Sequence, residues 1–486
     1  MNRRTWLGLG GFCLVLAGLI RLYRLDHFSY GLDEVLEGFW IRGTWAFFWK
    51  SLKFDAVHPP LDYLIARMVE QLNPLDWQRK LPDVLYGVGT VAALGALVAR
   101  RAGRAPGFFA ALLLALAPFH VRYSQEFRPH SLGICLMCLS LLALDRFLER
   151  PGLLRLVLLY LACLATAYTL YLAAVVLGIA AAGVLIEDAF STDSERRRSS
   201  RRFLRWSPLF GAALWFAYLP WIPVVQEAAR RPPPIPAEPL TWARIGRTLS
   251  FFAFAHADGD PFRWAAAVWC IPVVAGALLA FRRQGLRFLL IWLVGGLAAV
   301  EILGYLHPHW YVTRRFLSAG LVFPVLIAVA IGHVKRTRVG MSVATILLTF
   351  LLWSDINGLT QYFREGRADW RPLARFLAVR SASEQIFTEN QYAQLCLAYY
   401  VCGPDWLFGE AKGYRPISNL ECDPVRLTWA WPPGETAWLV LAGEPKCRPL
   451  REWSTAFEKT PFPTAEGAVL VHLDPVQRDA SLGLKR

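Results

Sequence analysis

The sequence shows no internal repeat, no C-x2-C pair among the four cysteines of its C-terminal region, and almost no charge inside its long apolar stretches. Each absence excludes something. Without repeats the chain lacks the internal symmetry on which many transporters are built. Without a C-x2-C pair among those four, a zinc site on them has little support. The basic start is followed by an apolar block, but by no small-x-small cleavage site. Leu16-Ala17-Gly18-Leu19 also lacks the cysteine of a lipoprotein box. The first block therefore reads as a retained membrane span and not as a cleaved signal.

Apolar residues are abundant. They make up 55% of the 486 residues, charged residues only 18%, and mean hydropathy is +0.34, which rules out a soluble globule around one core. They gather in blocks of about 17–22 residues, the length a helix needs to cross ~30 Å of hydrocarbon. Only a helix or a closed barrel satisfies its backbone there. About eleven blocks can be counted, each read as a span. They centre on Leu7–Leu22, Leu81–Ala99, Ala105–Phe119, Leu132–Leu148, Leu153–Thr169, Leu172–Ile186, Leu209–Val225, Trp264–Ala280, Leu286–Tyr305, Phe316–Gly332 and Met341–Trp353.

A net charge of +15 invites a nucleic-acid reading, but its placement argues against one. Basic clusters sit at Arg3–Arg4, Arg100–Arg104, Arg196–Arg205, Arg282–Arg287 and Lys335–Arg338. With a cytoplasmic N-terminus all of them fall on the cytoplasmic side, the positive-inside pattern. Basicity is then topology, and no nucleic-acid partner is expected. This orientation, in a plasma (inner) membrane, leaves three segments on the outer face: 23–80, 226–263 and the region after about residue 354. Pro232-Pro233-Pro234 makes part of the second extended.

The C-terminal region alternates apolar and charged residues and holds no block long enough to span. Asp369–Val379 predicts an amphipathic helix; Gln385–Thr388, Ala437–Leu441 and Gly467–Leu473 predict strands. A small extracytoplasmic α/β domain over 356–486 is expected, behind a transmembrane domain over 1–355 that includes the first outer loop. Five of the nine cysteines lie in spans, where Cys is a small apolar residue. Cys396, Cys402, Cys422 and Cys447 lie in the C-terminal domain and are expected to form two disulfides, in any of three pairings.

Polar groups concentrate on the outer side. The first loop opens with the carboxylate pair Asp33-Glu34 and later carries His58-Pro59-Pro60-Leu61, in which two prolines stiffen the backbone behind a histidine. A lone acidic pair is ordinarily just solvated; its neighbours set this one apart. The connection from Pro118 to His130 packs His120, Arg122, Tyr123, Gln125, Glu126, Arg128 and His130 where a turn needs only turn formers. Tyr168 to Tyr171 and His307 to Arg315 lie on the same side, and Arg314 and Arg315 run against the positive-inside trend. They either snorkel to lipid phosphates or hold an anionic substrate.

This set suits an acceptor hydroxyl attacking a sugar whose leaving group is a lipid-linked phosphate. One carboxylate takes the hydroxyl proton, and the phosphate needs a cation, for which Arg is suited. A glycosidase would need two carboxylates across a cleft.

Taken together, the residues resemble the GT-C superfamily of membrane glycosyltransferases, on the side of the bacterial family 39-type enzymes. These are related to protein O-mannosyltransferases and to the aminoarabinose transferase acting on lipid A. The resemblance runs through Asp33-Glu34, His58 to Leu61, the run from Tyr123 to Leu132, Tyr168 to Tyr171, Arg315-Phe316 and Asp369-Trp370-Arg371. His130 stands where tyrosine is common, and Leu170 replaces a histidine.

The resemblance implies a GT-C helical fold. It assigns catalysis to Asp33, with Glu34 beside it, and substrate contacts to His58, Tyr123, Glu126, Arg128, His130 and Tyr171. Either Arg314 or Arg315 meets phosphate. It implies a polyprenyl-phosphate sugar as donor and a hydroxyl-bearing protein, lipid or glycan as acceptor. A divalent metal near the Asp is found in some members and not in others. The competing classes are a transporter or flippase of polyprenyl-linked glycans, and a non-catalytic assembly or sensor protein. A transporter places ionisable residues at the bilayer midplane, where here Glu301 is the main one; a non-catalytic relative should lack the acid at position 33.

Overall fold

The computed structural model describes residues 1–230, 252, 263–306, 313–334, 337–365, 369–380, 385–388 and 391–402, with strands at 417–419, 437–441, 459–462 and 468–473. Pro232 to Pro234, His307 to Val312, Cys422 and Cys447 lie outside them, so the expected disulfides are half outside as well.

The chain opens with α1 (Arg3–Leu22). The first loop, expected as a loop, is itself helical: α2 (Leu32–Arg42), α3 (Trp45–Asp55), α4 (Leu61–Glu70) and α5 (Asp76–Arg79). Next come α6 (Leu81–Arg101), α7 (Arg104–Leu116), the short α8 (Pro118–Tyr123), α9 (His130–Glu149), α10 (Leu153–Ala167), α11 (Tyr171–Ala189), α12 (Ser194–Tyr218) and α13 (Ile222–Arg230). After these stand α14 (Arg263–Arg282), α15 (Phe288–Leu306), α16 (Leu317–Gly320), α17 (Val322–Gly332) and α18 (Arg338–Glu365). Among the described residues, eight helical stretches are long and apolar enough to cross a membrane, and three shorter apolar helices, Arg104–Leu116, Leu153–Ala167 and Trp269–Arg282, accompany them. Together they cover the apolar blocks read from the sequence. The protein is a multi-pass α-helical membrane protein.

Two compact units make up the chain. The first holds 1–23, 52–65 and 80–365. In it α6 packs on α7 and α9, α1 closes against α6 and α7, and α11 lies along α15. The stretch Arg314–Gly332 is its centre, 89% of its apolar window being buried. α14 and α7 flank α17 through glycine: a Cβ on Gly276 would strike the Leu326 carbonyl, and one on Gly332 would meet the Pro106 ring. Small residues let membrane helices approach this closely, and van der Waals contact then replaces the missing hydrophobic drive.

One device fixes the end of α7. Pro118 has no N–H to give to Leu114 O, so the helix cannot continue through it. Arg21, fully buried at the end of α1, serves the stranded carbonyls instead, donating to Ala115 O at 3.0 Å and Leu114 O at 3.3 Å. Its remaining N–H groups reach Ala17 O, Ser124 Oγ and His120 Nδ1.

The second unit holds 24–51, 66–79 and 366–486. Beyond α19 (Arg371–Arg380), strand β1 (Gln385–Thr388), α20 (Gln391–Val401) and β2 (Ile417–Asn419) form a parallel β-α-β element. β3 (Ala437–Leu441), β4 (Lys459–Phe462) and β5 (Ala468–Leu473) complete a sheet of order β2-β1-β3-β5-β4. β3 is parallel to β1, whereas β5 is antiparallel to both β3 and β4. The expected α/β character is present. The amphipathic helix begins two residues later than read, the last strand one residue later, and α20, β2 and β4 were not read at all.

First-loop segments are woven into this unit. Tyr400 Oη accepts from Tyr30 N at 2.7 Å, and Tyr399 Oη donates to Asp76 Oδ1 at 3.1 Å. Ser29 Oγ accepts from Trp370 N, and Arg371 reaches Asp26 at 2.9 Å. Glu70 ties Arg42 to Arg79.

Candidate active site

Three corners of the helical unit supply the expected substrate residues. The first is the turn between α3 and α4. Ala56 has a φ of 51°, and Pro59-Pro60 fix the backbone behind His58. The α10–α11 corner holds this turn in place. Tyr168 O accepts from Leu61 N at 2.9 Å, and Tyr171 Oη lies 3.3 Å from Ala56 O, to which it donates while accepting from Trp221 Nε1 at 2.8 Å. The Tyr168–Tyr171 segment is therefore a bracket for the histidine turn. Leu170 is buried against Gly133, where any Cβ would collide with it. The position at which the resembled family carries histidine is here occupied by packing.

The second corner is the Pro118–His130 connection, buried almost throughout. Its polar density has two explanations. Part of it is structural. His120 and Ser124 serve Arg21 as above; Gln125 Nε2 donates to Arg21 O and Tyr23 O, while its Oε1 accepts from Tyr362 Oη at 2.9 Å. Glu126 is buried and forms an ion pair with Arg122 at 3.5 Å. The rest faces the histidine turn. Tyr123 stacks on His130 with centroids 5.4 Å apart and planes at 10°, and the His130 ring meets the His58 ring edge-on at 5.3 Å. Both His58 nitrogens and His130 Nδ1 are buried without a hydrogen-bond partner among the described residues.

The third corner is the tight turn Thr313–Phe316, which presents half-buried Arg314 and Arg315. Burial first, then the charges of Arg128, His130, Arg315 and Arg314, hold His58 well below the usual imidazole range. The ring is therefore neutral at pH 7 and offers one N–H and one lone pair. Four residues on, Asp62 is buried at the start of α4, and burial pushes its carboxyl up to about 7 against the pull of Arg128. Sequence reasoning missed Asp62, because an acidic residue in a first helical turn is ordinarily a solvated partner of the helix dipole.

A cavity of about 380 Å³ adjoins this region. Leu172, Val175, Val225, Val300 and Leu303 make it apolar, Tyr171 and Tyr218 add hydroxyls, and Arg315 is the one cation among its described lining residues. Structure thus joins His58, Tyr123, Arg128, His130, Arg314 and Arg315 by ring contact or by charge, while Tyr171 and Arg315 share the cavity wall.

Asp33 and Glu34 belong to the second unit, where they open α2. Glu34 is buried, and its Oε2 accepts from Gly31 N at 3.0 Å, as a capping carboxylate does. Asp33, one residue earlier, is only half-buried. Of the two, Asp33 has the more accessible carboxylate. Among the described residues no three His, Cys, Asp or Glu side chains gather into a metal-holding group, so the divalent metal of some relatives finds no matching donor set there.

Residues 57–221 match the family described as dolichyl-phosphate-mannose-protein mannosyltransferase, a segment that includes His58, Tyr123, Arg128, His130 and Tyr171. No curated protein matches the chain in sequence at a significant level. In structure the chain is similar to ArnT from Cupriavidus metallidurans in the apo state, with 12% identity, a TM-score of 0.58, and 97% of this chain and 99% of that one covered. The same protein bound to undecaprenyl phosphate gives 12% identity and a TM-score of 0.52 over 97% and 98%. Both likenesses concern the fold. They give the chain a GT-C-type fold like that of ArnT, and over residues 57–221 its sequence is similar to the protein mannosyltransferases.

Proposed function

We propose that this protein transfers a sugar from a polyprenyl-phosphate donor to a hydroxyl group of a protein, lipid or glycan, on the outer face of the plasma membrane. The observation that carries the reading is the pairing of an apolar cavity with Arg315 in its wall and a buried His58 beside Arg128 and Arg314. A polyprenyl phosphate is itself an apolar chain ending in an anion. The ArnT structure with undecaprenyl phosphate makes such a ligand a natural one to test.

In this reading the prenyl chain enters the cavity and the phosphate meets the arginines, where guanidinium groups bind it in bidentate fashion. Neutral His58 donates one N–H to a phosphate oxygen without adding a buried charge. Tyr123 and His130 form a stacked wall beside it. Asp33 accepts the proton of the acceptor hydroxyl as its oxygen attacks the anomeric carbon. The bond from that carbon to the phosphate oxygen breaks, and the electron pair leaves with the polyprenyl phosphate. Glu34 holds the first turn of α2 and keeps Asp33 oriented. No general acid is required, because a phosphate departs as an anion already stabilised by cations.

The test uses the purified full chain, a panel of synthetic polyprenyl-phosphate sugars, and donor binding measured separately from transfer. Asp33→Asn should lower turnover by about 10²–10⁴-fold with donor affinity little changed. Near-wild-type turnover of Asp33→Asn would reassign the base. A wild-type chain that neither binds nor consumes any polyprenyl-phosphate sugar would overturn the whole reading.

A further inference from the structure

A second crevice, of about 470 Å³, opens between α9, α10 and α12, far along the helices from the histidine turn and on the side of the Arg196–Arg205 stretch. Its floor is aromatic: Phe203 meets Phe147 and Phe210 at centroid distances of 5.4 Å, and Tyr160 lies edge-on to Phe210 at 5.9 Å. Tyr160 Oη donates to Ala213 O, which keeps α10 and α12 together at this depth. Arg202 and Ser199 stand at its polar end.

The arginines of this stretch fall into two groups. Arg196 is bound to Asp145 and Asp188, while Arg197 and Arg201 donate to Ser191 O and Ala189 O. Arg198, Arg202 and Arg205 are exposed and meet no acidic side chain among the described residues. Spaced four and three residues apart, they share one face of α12. That helix is a membrane-crossing stretch with only 11% of its apolar window buried, so most of its apolar surface is left to lipid.

We propose that this crevice binds an anionic phospholipid of the bilayer, with the phosphate on Arg202 between Arg198 and Arg205 and one acyl chain along the aromatic floor. Basic pockets between membrane helices recognise anionic headgroups in this way, and each arginine near such a surface adds ~1 kcal/mol, about fivefold in affinity. The crevice supplies what exposed arginines alone lack, a seat for the chain that keeps one lipid in place.

The experiment is native mass spectrometry of the full chain in detergent, titrated with phosphatidylglycerol or phosphatidylcholine. It is paired with labelling by a phosphatidylglycerol carrying a photoreactive acyl chain. Wild type should retain one phosphatidylglycerol well above phosphatidylcholine, with label in 147–160 and 199–213. Arg202→Gln should weaken retention about fivefold. Ala213→Trp fills the crevice, leaves every arginine in place, and should remove both retention and label; Ala213→Leu is the milder variant if the tryptophan lowers the melting temperature. Equal retention of the two lipids by wild type, or full retention by both Ala213 variants, would overturn the proposal.

Discussion

Where α6, α9, α11 and α12 meet, every charge has an opposite. Arg100 reaches Asp145 and Glu149, Arg101 joins Asp145 to Asp188, and Arg196 touches both aspartates. Nearby, Glu187 accepts from the N–H groups of Gly285, Arg287 and Phe288 and so caps α15. The histidine turn of the same unit is assembled differently: rings rest on rings, arginine charge converges on them, and three imidazole nitrogens stay unpartnered among the described residues. A buried polar atom without a partner costs free energy unless something binds it. The first cluster is complete and holds helices. The second sets those unpartnered imidazole nitrogens beside arginine charge, the arrangement on which the proposed phosphate site rests.

Breaking the complete cluster should have the largest effect on stability. Asp145 is fully buried under three arginines, so Asp145→Ala takes a carboxylate from Arg100, Arg101 and Arg196 at once and leaves the buried Arg101 to Asp188 alone. Removing one partner of a buried ion pair costs about 3–5 kcal/mol. Unfolding of the detergent-purified variant should show a loss of that size, with donor affinity of the folded fraction unchanged. A variant within about 1 kcal/mol of wild type would mean that the cluster holds nothing.

The complementary change belongs to the other cluster. Arg315 is half-buried at the cavity wall, and Arg315→Ala should weaken donor binding about 10–100-fold, the ~1.5–3 kcal/mol of a hydrogen bond to a charged group. The melting temperature should hardly move. An Arg315→Ala protein that unfolds like Asp145→Ala would erase the distinction between the clusters.

Much of this was legible beforehand. Among the described residues the apolar blocks anticipated the eight spanning stretches and the three shorter apolar helices, because hydrocarbon leaves the backbone no alternative. The motif residues His58, Tyr123, Arg128 and His130 were picked out from polar density where none was needed, and the structure brings them together. Three things were not legible. The sequence sets Glu34 beside Asp33, but the capping bond from Gly31 to Glu34 is visible only in the structure. The helices of the first loop are short and amphipathic, which a search for spanning runs passes over. And His120, Ser124 and Gln125 of the Pro118–His130 run turn out to hold Arg21, which serves the carbonyls left at the end of α7, a need visible only once Arg21 is seen to meet it.

The smallest expected effect is a matter of protons. Asp62 is buried beside Arg128, four residues past His58, and Tyr86 of α6, which also feels Asp83, faces it. Its folded carboxyl titrates at about 7, above its ordinary value of 3.8. Between those values the folded state binds more protons than the unfolded one, so this group's contribution is fully present below 3.8 and is lost as pH rises through 7. His58 works in the opposite sense. Its folded value is depressed, so its contribution is present above 6.5 and is lost as pH falls below that. Asp62→Asn removes the first effect and leaves the second. The melting temperature of Asp62→Asn relative to wild type should therefore rise steadily from about pH 5 to about pH 7.5, and a flat difference would mean that Asp62 is solvated. The same proton couples to the donor. A phosphate held by Arg128 adds negative charge near Asp62 and raises its carboxyl further, so wild-type binding at pH 7 should take up a fraction of a proton and Asp62→Asn binding less. Calorimetry in two buffers of different ionisation enthalpy reads that fraction directly, and equal uptake by both proteins would place the coupled proton elsewhere.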